Sequence, residues 1–246
     1  MTQLPVIYMA AGRGVRLGEL TAERPKALLE VGGSSLLERA LINLRVAGVE
    51  RVVAVTGYAA EVFNAFPVET RFNDRWADQN NVVSLWSVRD VVRDGCLIVN
   101  CDVLFELELA RRLVAAHGTS LLVDDKTPVD QESMKVTLDG ERIVRLHKSV
   151  PLDQAVGEYI GLTRVDPADG SRLAEVLEEF VARGEVDVYY EDALAALAAE
   201  RQITIQRIGG LNWIEIDDEE DLRRARDQVA PAVDRIDGPV GTVAAK

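Results

Sequence analysis

Residues 4 to 31, LPVIYMAAGRGVRLGELTAERPKALLEV, constrain this chain most tightly. The apolar run Val6-Ile7-Tyr8-Met9 predicts a buried strand. Ala10-Ala11-Gly12-Arg13-Gly14-Val15-Arg16 follows it and predicts a loop of small residues and cations. Such a loop lets backbone N–H groups approach a phosphate, because no Cβ stands in the way. Arg13, Arg16 and Lys26 concentrate positive charge, and Pro25 stiffens the backbone just before Lys26. Gly12, Gly14 and Gly18 are spaced one residue wider than the dinucleotide fingerprint, and the Walker-type GxxxxGK(S/T) is absent. The glycines alone fit either an ordinary turn or a phosphate loop. The arginines and the Pro-Lys pair favour a triphosphate site.

The rest of the chain is acidic. Lys+Arg number 28 against 41 Asp+Glu, a net charge of −13 over 246 residues. That balance argues against general nucleic-acid binding, which needs a basic surface. Any anion site must therefore be built from locally gathered cations. With 48% hydrophobic residues the chain can bury a substantial core. Cys96 and Cys101 match neither a zinc spacing nor a disulfide framework, and read as reduced core thiols of a cytoplasmic protein. No signal peptide is evident, and no apolar run approaches the roughly 20 residues that span a bilayer.

Strand and helix signals alternate along the first half. Ser35 and Glu38 have capping-box spacing ahead of Leu37, Leu41 and Leu44, and Gly48 closes that helix. Strands are predicted at 51–55, 68–72, 96–100 and 119–123, with helices near 59–65 and 106–116 and, after the polar segment 73–81, a helix carrying Leu85, Val88 and Val92. This rhythm predicts an α/β fold, a doubly wound and mostly parallel sheet flanked by helices. Ligands in such sheets bind beyond the carboxyl ends of the strands, so Asp102 and the glycine loop share one edge. From 124 onward, strands at 133–138, 142–146 and 159–163 separated by Asp-Gly and Pro turns predict a mixed or antiparallel extension. Helices at 171–183 and 190–200, strands at 203–208 and 213–217, and a helix at 218–229 complete a single domain, residues 1–229. Residues 230–246 read as a loosely packed tail.

Three groups of residues could carry chemistry. Alternation in Asn212-Trp213-Ile214-Glu215-Ile216-Asp217 puts Glu215 and Asp217 on one strand face. With Asp102 from another strand end they make a ligand set for magnesium, which favours one or two carboxylates plus substrate phosphates. The competing role for Asp217 is a helix cap. Lys135, set among apolar residues, is either exposed or turned inward towards an anion. Tyr159, Tyr189, Tyr190 and Trp213 are either core or a cage for a quaternary ammonium.

Together, Ala10–Arg16 and Arg24-Pro25-Lys26-Ala27-Leu28 resemble the signature loop of nucleotidyltransferases acting on sugar phosphates and small phospho-alcohols. The resemblance covers about 4 to 227. Asn80-Asn81 with Ser84-Leu85-Trp86, Gly157–Gly161, Asp187–Asp192 and Trp213–Asp217 are similar to the phosphocholine and phosphonate cytidylyltransferase branch. Asn100-Cys101-Asp102 stands where sugar-nucleotide enzymes usually carry a GD-type motif.

The resemblance implies a Rossmann-like nucleotidyltransferase fold and magnesium-dependent transfer of CMP from CTP to a small phosphate or phosphonate, with pyrophosphate released. The acceptors it implies are phosphocholine, 2-aminoethylphosphonate, hydroxyethylphosphonate and phosphonoformate. By the same resemblance, Ala10, Ala11, Gly12, Arg13 and Gly14 hold the triphosphate, and Arg16 and Lys26 neutralise it. Asp102, Asp217 and Glu215 hold magnesium, and Tyr58, Asn80 and Ser84 read the base. Lys135 contacts the acceptor's anion, while Glu158, Tyr159, Tyr190, Glu191 and Asp192 shape its other end. A dianionic acceptor would call on Lys126, Lys148 or Arg145. No nucleic acid or membrane partner is expected, and the protein is expected to be a monomer or homodimer. The alternatives are a sugar-1-phosphate uridylyl- or thymidylyltransferase and a non-catalytic nucleotide-binding regulator.

Overall fold

The computed structural model describes residues 4–237. Its first half runs β1 (Val6–Ala10), α1 (Leu36–Val46), β2 (Val52–Thr56), β3 (Glu69–Phe72), α2 (Asn81–Ser87) and β4 (Cys96–Asn100). The strands pair in the order β3-β2-β1-β4, all parallel. Every residue of β1 and β2 is buried, which is why both read as unbroken apolar runs. Val6 and Tyr8 pack with Leu37, Leu41 and Leu44 of α1, while Ile7 and Met9 pack with Val82, Val83 and Leu85 of α2. Helices therefore cover both faces. The predicted capping box opens α1: Ser35 N donates to Glu38 Oε2 at 2.7 Å and Glu38 N to Ser35 Oγ at 3.2 Å. Such a cap contributes about 1 kcal/mol.

The second half continues with α3 (Leu107–Ala115), β5 (Ser120–Asp124), β6 (Lys135–Asp139), β7 (Arg142–His147), β8 (Gly157–Val165), α4 (Pro167–Ala182), α5 (Tyr190–Glu200), β9 (Thr204–Arg207) and α6 (Ala230–Asp237). Here the topology departs from expectation. β5 does not sit beside β4 to complete a parallel half. The later strand β8 inserts between them, antiparallel to both. A buried strand has the same apolar composition whichever partner lies beside it, so local pattern could not reveal the insertion.

β8 also creates the fork that houses the site. Thr163 pairs with Ile98 of β4 and Leu121 of β5, whereas Glu158 pairs with Lys135 of β6 and Asp124 of β5. β4 and β6 thus share one edge of β8, end to end. Between them lies Gly161 at φ +76°, where the β5 register also shifts. The carboxyl end of β4 opens at this break. Beyond it, Val103–Phe105 and Trp213–Glu215 form a short antiparallel ribbon.

The C-terminal expectation needs correction for residues 230–237. They form α6, with Ala230 and Val233 buried. Asp234 Oδ1 lies 2.9 Å from the Nη1 of buried Arg39, and Leu107 N donates to Asp237 Oδ2 at 2.7 Å. Partners far away in sequence order this segment, so it lacks a local signature. Residues 238–246 lie outside the described residues. Cys96 and Cys101 are free and buried. No helix of the described residues is long and apolar enough to cross a membrane.

Candidate functional site

The loop after β1 folds back on itself. Thr21 Oγ1 donates to Gly14 O at 3.0 Å, and Gly14 adopts φ +74°. A Cβ at Gly14 would lie 3.2 Å from Lys26 Cβ and at a strained φ, so the glycine lets the lysine stem pass. Lys26 follows Pro25 on a short 3-10 turn and is only 7% exposed. Tyr58 closes the loop's flank: its N–H donates to Ala11 O at 3.0 Å, its hydroxyl bonds Ala22 O, and Arg13 lies over its ring.

Three carboxylates face this loop. The ribbon pairs Glu215 with Val103, and Ile216 N donates to Asp102 O at 2.9 Å. Asp102, Glu215 and Asp217 consequently offer oxygens all within 4.8 Å of one another. Lys26 Nζ sits 2.9 Å from Asp102 Oδ2 and 2.6 Å from Asp217 Oδ1, and Arg16 Nη2 lies 2.7 Å from Asp217 Oδ2. Burial works against a charged Asp217, but Lys26 and Arg16 outweigh it and hold the carboxyl below its usual range. Glu215 is pushed well above its usual range, by burial first and then by repulsion from Asp102 and Asp217. Buried Asp102 Oδ1 has no hydrogen-bond partner among the described residues. A cluster of like charges with an orphaned oxygen suits a divalent cation. Asp217 is not the helix cap: Asp218 takes that role, accepting from Asp221 N at 2.9 Å.

Gly12, Gly14, Arg16, Lys26, Asp102, Tyr159, Glu191, Glu215 and Asp217 line one cleft. Other expected residues serve the framework. Asn80 caps α2, accepting from Asn81 N at 2.7 Å, and its amide donates to Asp187 O. Ser84 is buried, its hydroxyl accepting from Asn73 Nδ2 at 3.0 Å. The side chain next to Asn80, that of Asn81, lines the cleft instead.

On the far wall, Lys135 is the clearest correction. It is fully buried, and its ammonium donates to the carbonyls of Asp130 (2.8 Å), Gln131 (3.1 Å) and Ser133 (3.1 Å). These bonds use all three of its hydrogens. Lys148, directly after β7, supplies the cation on that wall, 3.4 Å from Glu132 and over the Tyr189 ring at 5.9 Å. Nothing local distinguishes Lys148 from Lys126 or Arg145 in sequence; only the hairpin's docking aims it inward.

Tyr190 is core, bonded to Tyr159 and Asn100. Asp192 caps α5, accepting from Tyr189 N at 3.0 Å. Glu158 stands behind the wall, pushed up to about 7 chiefly by burial. Glu191 faces the cleft with Oε2 unpartnered among the described residues, and burial pushes it up to about 8. Tyr189, one of the candidate cage aromatics, lines the cleft as well, together with Met134, Asn100 and Gly161, to which the sequence assigns no role.

A small-residue loop carrying cations thus meets a carboxylate trio at the carboxyl edge of the sheet. Residues 6–143 match the MobA-like NTP transferase domain, and the chain belongs to that family. It is 26% identical over 227 residues to a choline-phosphate cytidylyltransferase of Streptococcus pneumoniae, covering 90% of this chain and 96% of that protein. It is likewise 26% identical to a 2-aminoethylphosphonate cytidylyltransferase of Lancefieldella rimae, covering 86% and 87%. The fold is shared with a UDP-glucose pyrophosphorylase solved with UDP-glucose, at a TM-score of 0.76 and 15% identity, covering 94% and 100%.

Proposed function

We propose that this chain is a CTP-dependent cytidylyltransferase that moves CMP onto a small phosphate or phosphonate. An acceptor oxygen attacks the α-phosphorus of CTP; the new P–O bond forms as the bond to the leaving pyrophosphate breaks. The observation that carries this reading is Lys26, held between Asp102 and Asp217 at the mouth of the glycine loop. No protein nucleophile is needed, so catalysis rests on positioning and charge neutralisation. Backbone groups from Ala10 to Gly14 hold the triphosphate, and Arg16 and Lys26 neutralise it. Asp102, Asp217 and Glu215 would hold magnesium, which supplies further neutralisation and polarisation at the α-phosphate.

The choice of CTP is supported by the two cytidylyltransferase relatives, each aligned over most of both chains. The acceptor's anionic end is assigned to Lys148. Tyr159, Tyr189 and Glu191 shape its other end. The protein is taken to act in the cytoplasm as a monomer or homodimer.

Pyrophosphate release tests the reading. The protein is incubated with magnesium and each of CTP, UTP, dTTP, ATP and GTP against a panel of phosphocholine, aminoethyl- and hydroxyethylphosphonate, and sugar 1-phosphates. Release with CTP and a small phosphate or phosphonate is expected. Release with UTP or dTTP and a sugar phosphate, but not with CTP, would replace it with the sugar-nucleotide reading. Binding without turnover of any nucleotide would mark a regulator.

A further inference from the structure

Asn100 ends β4 on the cleft wall, two residues before Asp102, and a chain of buried hydroxyls runs to its amide. Thr163 Oγ1 lies 2.7 Å from Tyr159 Oη, Tyr159 Oη lies 2.8 Å from Tyr190 Oη, and Tyr190 Oη lies 2.9 Å from Asn100 Oδ1. Thr163, Tyr159 and Tyr190 are at most 2% exposed. The chain can run in only one direction without loss. Tyr159 is the only hydrogen-bond partner of the Thr163 hydroxyl among the described residues, so if Thr163 accepted, its own proton would be buried unpaired. Thr163 therefore donates to Tyr159, Tyr159 to Tyr190, and Tyr190 to Asn100. The last acceptor must be a carbonyl oxygen, which settles the orientation of the amide.

The other end of that amide lies beside Gly161, which lines the cleft together with Asn100. Asn100 Nδ2 has no protein partner among the described residues. Gly161 at φ +76° leaves room for it: a Cβ there would lie 2.8 Å from both Asn100 Cβ and Nδ2. Asn100 pairs with Met9 at the root of the glycine loop on one side, and on the other meets the wall formed by Tyr159 and Gly161 of β8 and by Tyr190. That wall presents Lys148 as its cation and Glu191 as a carboxyl. A neutral pair of N–H donors in this position complements an oxygen of the second substrate.

We propose that Asn100 is a specificity-determining residue that donates to an oxygen of the phosphate or phosphonate acceptor, with Tyr190, Tyr159 and Thr163 as positioning residues that lock its amide. The inference rests on the cytidylyltransferase reading for the identity of the acceptor alone.

The test compares Asn100→Ala, Asn100→Asp and Tyr190→Phe with wild type in steady-state pyrophosphate release. KM is measured for CTP and for whichever of phosphocholine, 2-aminoethylphosphonate and hydroxyethylphosphonate the wild type turns over fastest. Tyr190→Phe keeps the ring and Asn100 and removes the hydroxyl through which Thr163 and Tyr159 lock the amide. The acceptor KM should rise about tenfold in Tyr190→Phe and Asn100→Ala, as for the loss of one bond to a charged group. It should rise further in Asn100→Asp, which sets a carboxylate against an anion. The KM for CTP should stay within about twofold in all three. An unchanged acceptor KM, or both KM values rising together, would overturn the proposal. If the wild type uses another nucleotide, the cytidylyl reading fails, and the same comparison on that nucleotide's acceptor decides the role of Asn100.

Discussion

The ammonium of Lys26 lies 2.9 Å from Asp102 Oδ2, bridging the loop after the first strand to the end of the fourth, 76 residues later. Asp217, a further 115 residues on, accepts from the same ammonium at 2.6 Å. Burial alone would lower the pKa of this lysine, but Asp102 and Asp217 raise it above its ordinary value, so it stays charged at any working pH. Lys26→Met should therefore lower kcat/KM about 100- to 1,000-fold, the usual loss when one preorganised charge stabiliser is removed. Pyrophosphate release measures this; near-wild-type rates would move the site elsewhere.

Asp102 carries the orphaned oxygen of the trio, so Asp102→Asn should impair metal binding more than folding. Manganese titration followed by electron paramagnetic resonance, in the presence of CTP, should show at least about tenfold weaker binding in the variant. Chelation by EDTA should abolish turnover in the wild type, and magnesium should restore it. Turnover that survives chelation would remove the metal from the proposal.

Lys135 and Lys148 should separate stability from substrate binding. Lys135→Met leaves three carbonyls without their donor and should destabilise the fold by about 2–4 kcal/mol. The acceptor KM should stay unchanged. Lys148→Ala should do the reverse, raising the acceptor KM at least about tenfold with little change in melting temperature. Urea unfolding and acceptor titration together check the pair. A raised acceptor KM in Lys135→Met alone would restore the role that sequence reading expects of it.

Glu191 has a signed pH effect. Its carboxyl titrates at about 8 in the folded chain against an ordinary value of 4.5. Between these values the folded state binds more protons than the unfolded one, so Glu191 lowers stability as pH rises through that window. Glu191→Gln removes the effect. Its stability relative to wild type should increase steadily from about pH 5 to pH 8 and then level off. Thermal melts across that range decide it, and a constant difference would show Glu191 to be ionised throughout.

What the sequence determined by itself was whatever short-range physics dictates. β1, the glycine loop, Pro25-Lys26, the Ser35–Glu38 box and the Trp213–Asp217 alternation are each written within a few residues. Strand burial, backbone freedom and capping act at that range. From these, the glycine loop, Lys26, Asp102, Glu215 and Asp217 were all legible as one site. Tertiary structure alone decided the acceptor wall. The insertion of β8 between β4 and β5 depends on pairing partners more than thirty residues apart, and it opens the fork at Gly161. Whether a polar side chain faces a ligand or a carbonyl is set there by a difference of a few ångströms. Lys135 turned to the backbone, Lys148 to the cleft, and Tyr190 to the amide of Asn100. Composition and spacing are alike for all three outcomes, because burial and partner choice are settled only when distant strands meet.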